Sequence, residues 1–327
     1  MPQLPLTRRA LAAAAAGLAL PASARAQQDW PRKPIRLIVA FAPGGATDVQ
    51  ARLVAERLGA RIGQPVVVEN RAGAAGIIGT EAVAHAAPDG YTLLQGTIST
   101  HAMNVPLYGS KLSYDPNKDF SPIIRITTGF NLLVVHPSVE ARDVAGLIAL
   151  AKRNPGKLAY GSGGNGTSTH LAAEMFKTMA GVELLHVPFR STAPAATALT
   201  SGEIQLMFDT SVSSLPLVRD GRVRALAVTS AERAKDLPDL PAVAETVPGF
   251  EMGTWTGLYG PPGMPGPLVE KIRAATAEVM REPDLIARLA TLGTVPFLAG
   301  PEEFADYQQA EIARWTKVVR DARIVMD

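Results

Sequence analysis

Gly161-Ser162-Gly163-Gly164-Asn165-Gly166 satisfies the pattern G-x-G-x-x-G between a β-rich run and a helical pattern. That is the setting in which such a loop binds a dinucleotide. The dinucleotide reading also wants an acid at the end of the next strand, for the ribose. Here that strand ends His186-Val187-Pro188-Phe189-Arg190, and Glu183 sits at its start. The nucleotide is therefore rejected and the physics kept. Glycines admit a ligand to the backbone, and a helix N-terminus offers unpaired N–H groups to an anion. Ser162, Thr167, Ser168 and Thr169 add hydroxyls. A carboxylate suits this loop, with Ser162, Gly163, Gly166 and Thr167 as its contacts. An ordinary capped turn fits the same residues.

Phe41-Ala42-Pro43-Gly44-Gly45-Ala46-Thr47-Asp48 is a second strand–loop–helix junction. Phe41, Gly44, Gly45 and Thr47 are its candidate contacts, and Asp48 reads as a helix N-cap. Gly96-Thr97-Ile98-Ser99-Thr100-His101 is a third, hydroxyl-rich loop after a strand, contributing Thr97 and Ser99. Thr192 and Asp209 complete the candidate set. Asp209 equally fits a cap for the helix that follows it. In open α/β sheets ligands collect at the carboxyl ends of strands, where all three loops lie.

Catalysis has little support. There is no G-x-S-x-G elbow and no H-E-x-x-H, and His85, His101, His136, His170 and His186 lack ligand spacing. A triad of Ser162, His170 and Asp209 is conceivable in three dimensions, but nothing in the sequence asks for it. His170 reads as a helix-surface or packing histidine. The chain has no cysteine, so disulfides, thiol catalysis and Cys-ligated metals are excluded. Neither a cofactor, a metal nor an enzymatic activity is expected.

The elements that must hold these loops alternate. Strands are expected at 35–41, 66–69, 91–95, 132–136, 158–160, 184–187, 204–208 and 222–228, and helices at 47–58, 77–86, 144–153, 168–179 and 193–200. Three C-terminal helices begin near Pro267, Pro283 and Pro301, each with proline close to its first turn. Short strand–helix–strand connections imply parallel sheets with right-handed crossovers. The result is an α/β protein of two units. The first comprises 27–128 and 230–327 and the second 129–229, with crossings near 127–131 and 228–231 that act as a hinge.

The chain has 327 residues, 47% hydrophobic and 19% charged, an ordinary globular composition that argues against disorder and coiled coil. Residues 1–26 depart from it. Arg8 and Arg9 precede an uncharged, Ala-rich run at 10–20 and the small-x-small sites Ala22-Ser23-Ala24 and Ala24-Arg25-Ala26. This is the order of an export signal, cleaved after Ala26 or alternatively Ala24. The apolar run is too short to span a bilayer. Cleavage removes Arg8, Arg9 and Arg25 from the 32 basic residues and none of the 30 acidic ones, turning a net +2 into −1. Nucleic acid is therefore not expected as a partner.

These residues resemble the Bug family, the TctC-like substrate-binding receptors of tripartite tricarboxylate transporters, from Trp30-Pro31 to about Asp321. Pro34-Ile35-Arg36-Leu37-Ile38-Val39-Ala40-Phe41-Ala42-Pro43-Gly44-Gly45 is similar to the family's opening strand and glycine loop. Val67-Val68-Glu69-Asn70-Arg71-Ala72-Gly73, Ala87-Pro88-Asp89-Gly90-Tyr91, Tyr114-Asp115-Pro116, Tyr160-Gly161-Ser162, His186-Val187-Pro188-Phe189, Met207-Phe208-Asp209 and Arg224-Ala225-Leu226-Ala227-Val228-Thr229 follow in order. The chain departs at Ala42, Ala46, Arg190-Ser191-Thr192 and Arg323. The resemblance implies a type II periplasmic-binding-protein fold with a cleft between two lobes. It implies a monomeric periplasmic receptor that captures a small organic acid or related solute and delivers it to membrane subunits. Alternatives are a sensing module for a membrane kinase and, from another class, an extracytoplasmic serine hydrolase.

Overall fold

The structure, a computed structural model, describes residues 30–321 and residue 324. The expected export signal and Arg323 lie outside the described residues. Strand β1 (Ile35–Val39) is apolar because both its faces are covered: Ile35, Leu37, Ile38 and Val39 are all buried. It pairs in parallel with β2 (Val66–Asn70) and β3 (Thr92–Thr97), linked by helices α1 (Ala46–Ile62) and α2 (Ile77–Ala84). β3 does not open into the expected loop. It runs through Thr97 into the helical turns Ser99–Met103 and the short helix α3 (Asn104–Tyr108). Thr100 makes this possible by accepting the Thr97 amide on its hydroxyl at 3.1 Å.

The strand β4 (Ser121–Val135) is the spine of the molecule. Only its second half, near 132–136, is expected from the sequence, because Pro122, Arg125 and Gly129 interrupt the β pattern before it. The structure absorbs the first two by irregular pairing and keeps Gly129 in register with Thr254. The register shifts beside Pro122 and beside Arg125. The buried Arg125 lies over the rings of Phe297 and Tyr307. Residues 121–130 pair with the strands Gly253–Gly260 and Thr294–Ala299 of the first lobe, and residues 131–135 with Leu206–Thr210 and Arg224–Val228 of the second.

The second lobe contains α4 (Val144–Arg153), β5 (Ala159–Ser162), α5 (Ser168–Ala180), β6 (Leu185–Pro188), α6 (Thr192–Ser201), β7 (Leu206–Thr210), α7 (Ser211–Arg219) and β8 (Arg224–Val228). β5 pairs in parallel with β6 and β7. The expected second crossing at 228–231 is displaced. Val228 bridges to Ala242, and Phe250 packs on Phe176 and Phe208, all in the second lobe. The chain returns to the first lobe only at β9 (Gly253–Gly260), which lies antiparallel between β3 and β4. Thr229 ties the crossing segments together. It accepts the Asn131 amide on Oγ1 at 2.8 Å and the Met252 amide on its carbonyl at 2.7 Å. The segment 230–252 thus packs on the second lobe instead of leaving it.

The C-terminal helices begin where proline placed them: α8 (Gly266–Val279), α9 (Pro283–Thr291) and α10 (Pro301–Asp321). Between the last two lies an unexpected strand, β10 (Thr294–Ala299), antiparallel to β4. Pro296 argues against a strand, yet β10 is at a sheet edge, where a missing N–H is tolerated. Ile35, Leu37, Leu258, Ile272 and Leu289 centre one core; Leu132, Leu199, Met207 and Val228 centre another. Each such side chain contributes about 1.5–3 kcal/mol by burial.

Candidate functional site

Four helices of the two lobes aim their N-termini at one interlobe cavity of about 650 Å³, part of it open to solvent. α1 comes from the first lobe, and α5, α6 and α7 from the second. The lining is Gly45 and Thr47; Gly163, Thr167 and Ser168; Ser191 and Thr192; Thr210 and Ser211, closed by Phe41, Thr97, Ser99 and Trp255. No acidic or basic side chain lines it. Partial positive charge therefore comes only from helix ends, whose first amides have no partner within the helix.

The lobes touch directly around this cavity. Ala46 N donates to Thr192 Oγ1 at 3.2 Å, Ser168 N to Ser99 Oγ at 3.1 Å, and Ser211 Oγ to the Gly293 carbonyl at 3.0 Å. Gly45 permits the first contact. A Cβ there would stand 3.3 Å from Ser191 Cβ.

The candidate contacts divide on geometry. Phe41, Gly45, Thr47, Thr97, Ser99, Gly163, Thr167 and Thr192 line the cavity. Gly44, Ser162, Gly166 and Asp209 do not. Gly44 donates its amide to Asp48 Oδ2 at 2.9 Å. Asp48 is not the N-cap of α1, a position held by Gly45. It acts from the third helical position, with burial raising its pKa and Arg52, the Gly44 amide and Asn70 together bringing it below the usual carboxylate value.

The glycine loop 161–166 spends its donors on itself. The Gly163 amide goes to Thr169 Oγ1 at 2.8 Å, that of Gly164 to Ser162 Oγ at 3.1 Å, and that of Gly166 to His170 Nδ1 at 3.2 Å. Thr167 Oγ1 donates to the Gly164 carbonyl at 2.7 Å. Thr167 thus faces the cavity with its hydroxyl proton already used. Ser162, fully buried, pairs with His186 Nε2 at 2.7 Å, not with His170. His186 stacks between Tyr160 and His170. Burial, then the charge of His170, lowers its pKa to about 4. Neither Ser162 nor His186 lines the interlobe cavity.

Asp209 lies beneath the start of α7, accepting the Thr210 amide at 2.8 Å and the Ser214 hydroxyl at 2.6 Å. It fits neither of its two readings: the N-cap of α7 is Thr210, no side chain caps that helix, and Asp209 does not line the cavity. Burial raises its pKa to about 6.

Two hydroxyls of the lining stand outside the candidate contacts read from the sequence. Ser191 Oγ and Thr210 Oγ1 are buried, line the cavity and have no hydrogen-bond partner. They are the N-caps of α6 and α7, and neither caps its own helix by its side chain. Each would ordinarily turn back on the first turn. An S/T residue immediately before each helix was the available signal, but β7 and α7 join without an intervening glycine loop to draw attention there.

Known proteins show the family of this chain. The family model described as tripartite tricarboxylate transporter family receptor matches residues 50–324. The chain belongs to that family. It is similar to three solved structures. One is Rpa4515 of R. palustris with adipate, 39% identical, with a TM-score of 0.88, covering 91% of this chain and 99% of that one. MatC (Rpa3494) from Rhodopseudomonas palustris with bound malate is 35% identical, with a TM-score of 0.85, covering 89% and 100%. The periplasmic binding protein BugD is 32% identical, with a TM-score of 0.87, covering 91% and 100%. The expected Bug-family fold, a two-lobed α/β periplasmic binding protein, is therefore the observed one. The family implies an extracytoplasmic location, and these relatives bind solutes. Among the described residues no helix is long and apolar enough to cross a membrane, and no group of three or more His, Asp or Glu is arranged to hold a metal.

Proposed function

We propose that this receptor captures a small organic acid between its lobes and delivers it to the membrane subunits of a tripartite tricarboxylate-type transporter. The observation that carries the reading is the pair of buried, unpartnered hydroxyls, Ser191 Oγ and Thr210 Oγ1, at two helix N-termini in a cavity without a charged side chain. A buried hydroxyl without a partner costs free energy. A carboxylate accepts from both, and from the leading amides of α6 and α7, through charge-assisted bonds. Gly45, Thr47, Thr97 and Ser99 close over it from the first lobe. The relatives that hold adipate and malate support a carboxylate as the ligand class.

The test is thermal unfolding and calorimetry of the mature chain against mono-, di- and tricarboxylates, aromatic acids and amides. At a hundredfold excess over Kd, a ligand adds about 2.7 kcal/mol of stability. A panel in which no acid shifts the transition removes the receptor reading. Turnover of simple esters, lost in Ser162→Ala, would instead establish the hydrolase.

A further inference from the structure

A second interlobe cavity adjoins the first, sharing Phe41 and Gly163 as walls. It encloses about 1140 Å³, part of it open to solvent, and its chemistry differs. Phe41 and Tyr108 of the first lobe and Phe189 of the second, all half-buried, face it together with Arg190. The rest of the wall is largely backbone of 72–76 and 163–165.

We propose that the ligand of this receptor is an extended aromatic dianion. One carboxylate occupies the inner cavity, the ring passes Phe41, and the far carboxylate meets Arg190. This deepens the receptor reading and rests on it.

Arg190 is exposed and makes no hydrogen bond or ion pair among the described residues. Arg71, by contrast, is paired with Glu69 at 2.6 Å. An unpaired guanidinium at the edge of a cavity with no acid in its lining is a receptor for an anion from outside. Its planar fork suits a carboxylate. The inner cavity has no charged side chain, so the two ends of the ligand are read differently: one by dipoles and hydroxyls, the other by full charge.

The middle of the path is shaped for a flat body. Three aromatic rings from both lobes surround it, and rings prefer offset or edge contact with another ring. Gly73, Ala74, Ala75 and Gly76 all have positive φ, 144°, 45°, 54° and 85°. Ala74 and Ala75 adopt a region that L residues enter rarely. A Cβ on Gly76 would lie 3.2 Å from Phe41 Cζ and 2.8 Å from Thr100 Cγ2. The glycine therefore lets the Phe41 ring settle against the loop, where it walls both cavities.

The experiment is calorimetry with benzoate, benzene-1,4-dicarboxylate, 4-(carboxymethyl)benzoate and hexanedioate on the parent, Arg190→Gln and Tyr108→Ala. Arg190 is unpaired, so its substitution leaves the fold intact. In the parent, the better aromatic diacid binds more tightly than benzoate by about fivefold, the upper range for a solvent-accessible ion pair. Arg190→Gln abolishes that advantage and leaves benzoate within about twofold. Raising the salt concentration narrows the same gap. Tyr108→Ala weakens both aromatic diacids more than hexanedioate. Equal losses for benzoate and the diacids in Arg190→Gln, or no loss for either, overturn the proposal. So does hexanedioate binding as tightly as the better aromatic diacid. Failure of every acid to bind the parent overturns the receptor reading itself, a distinct result.

Discussion

The amide of Ser168, first residue of α5, donates to the hydroxyl of Ser99 across the cleft at 3.1 Å. A helix N-terminal donor of one lobe is thereby satisfied by the other lobe, not by the ligand. Closure and capture are separate contributions at this point. Ser99→Ala removes the cross-cleft bond, worth about 0.5–1.5 kcal/mol. Affinity for any carboxylate that binds should fall about 2- to 12-fold. The loss should lie in the dissociation rate, because a bond across the cleft holds the closed arrangement. Stopped-flow binding separates the two rates, and a loss confined to association would show that Ser99 acts during entry.

Ser191 and Thr210 predict an opposition between stability and binding. Their hydroxyls are buried in the protein with no partner among the described residues. Ser191→Ala and Thr210→Val should therefore leave its melting temperature unchanged or raise it. Each should weaken carboxylate binding by about 10- to 150-fold, the value of a hydrogen bond to a charged group. Thr167→Ala should behave in the reverse sense. It loses the bond that holds the Gly164 carbonyl, so stability falls while binding follows only indirectly. Paired melting and calorimetry on the three variants decide the assignment. Ser191→Ala binding like the parent would remove that hydroxyl from the site.

What the sequence made legible follows from where the physics is local. The helix 144–153 is read correctly to its ends because Asp143 caps it, accepting the Gly146 amide, and Pro155-Gly156 follows it. The glycine junctions are found for the same reason. Their use is a tertiary fact. Whether the Gly163 amide faces a ligand or Thr169 depends on a hydroxyl six residues away, as does Ser162 on His186, which arrives from another strand. β4 was half visible because the stack of Arg125 on Phe297 and Tyr307 joins residues far apart in the chain. Asp209 offered two equal readings, ligand contact and cap, and its bond with the Ser214 hydroxyl belongs to neither.

Asp209 and His186 should move the pH dependence of stability in opposite directions. The Asp209 carboxyl is raised from 3.8 to about 6 by burial. Above pH 6 the folded protein holds a charge it resists, a penalty on the order of 2–3 kcal/mol. That penalty disappears as pH falls through 6 towards 3.8, where the unfolded chain is protonated too. Burial lowers His186 from 6.5 to about 4. The unfolded chain takes up a proton below 6.5 and the folded one does not until about 4, so stability is lost across that window. Denaturant unfolding from pH 4 to 7 should show a steeper acid loss in Asp209→Asn than in the parent, and a shallower one in His186→Gln. Slopes are the readout, since both substitutions also change contacts. Parallel profiles for the two variants would refute the assignment of either group.

Gly45 tests how closely the lobes must approach. Its φ of −76° is open to any residue, so glycine is not needed there for the backbone. Space is what it supplies. A Cβ would stand 3.3 Å from Ser191 Cβ and 3.4 Å from Thr192 Oγ1, both on the opposite lobe. Gly45→Ala should stabilise each molecule slightly, by about 0.4–1 kcal/mol, because the unfolded chain loses freedom. The added methyl must push α6 back by a few tenths of an ångström when the cleft closes. That lengthens the Ala46 N to Thr192 Oγ1 bond, already 3.2 Å. Binding should weaken several-fold, and Gly45→Val should weaken it further. Scattering at saturating ligand should give a larger radius for the valine variant than for the parent. Equal affinity in parent, alanine and valine forms would mean that α6 yields freely, and that the approach of Gly45 to Ser191 does not limit closure.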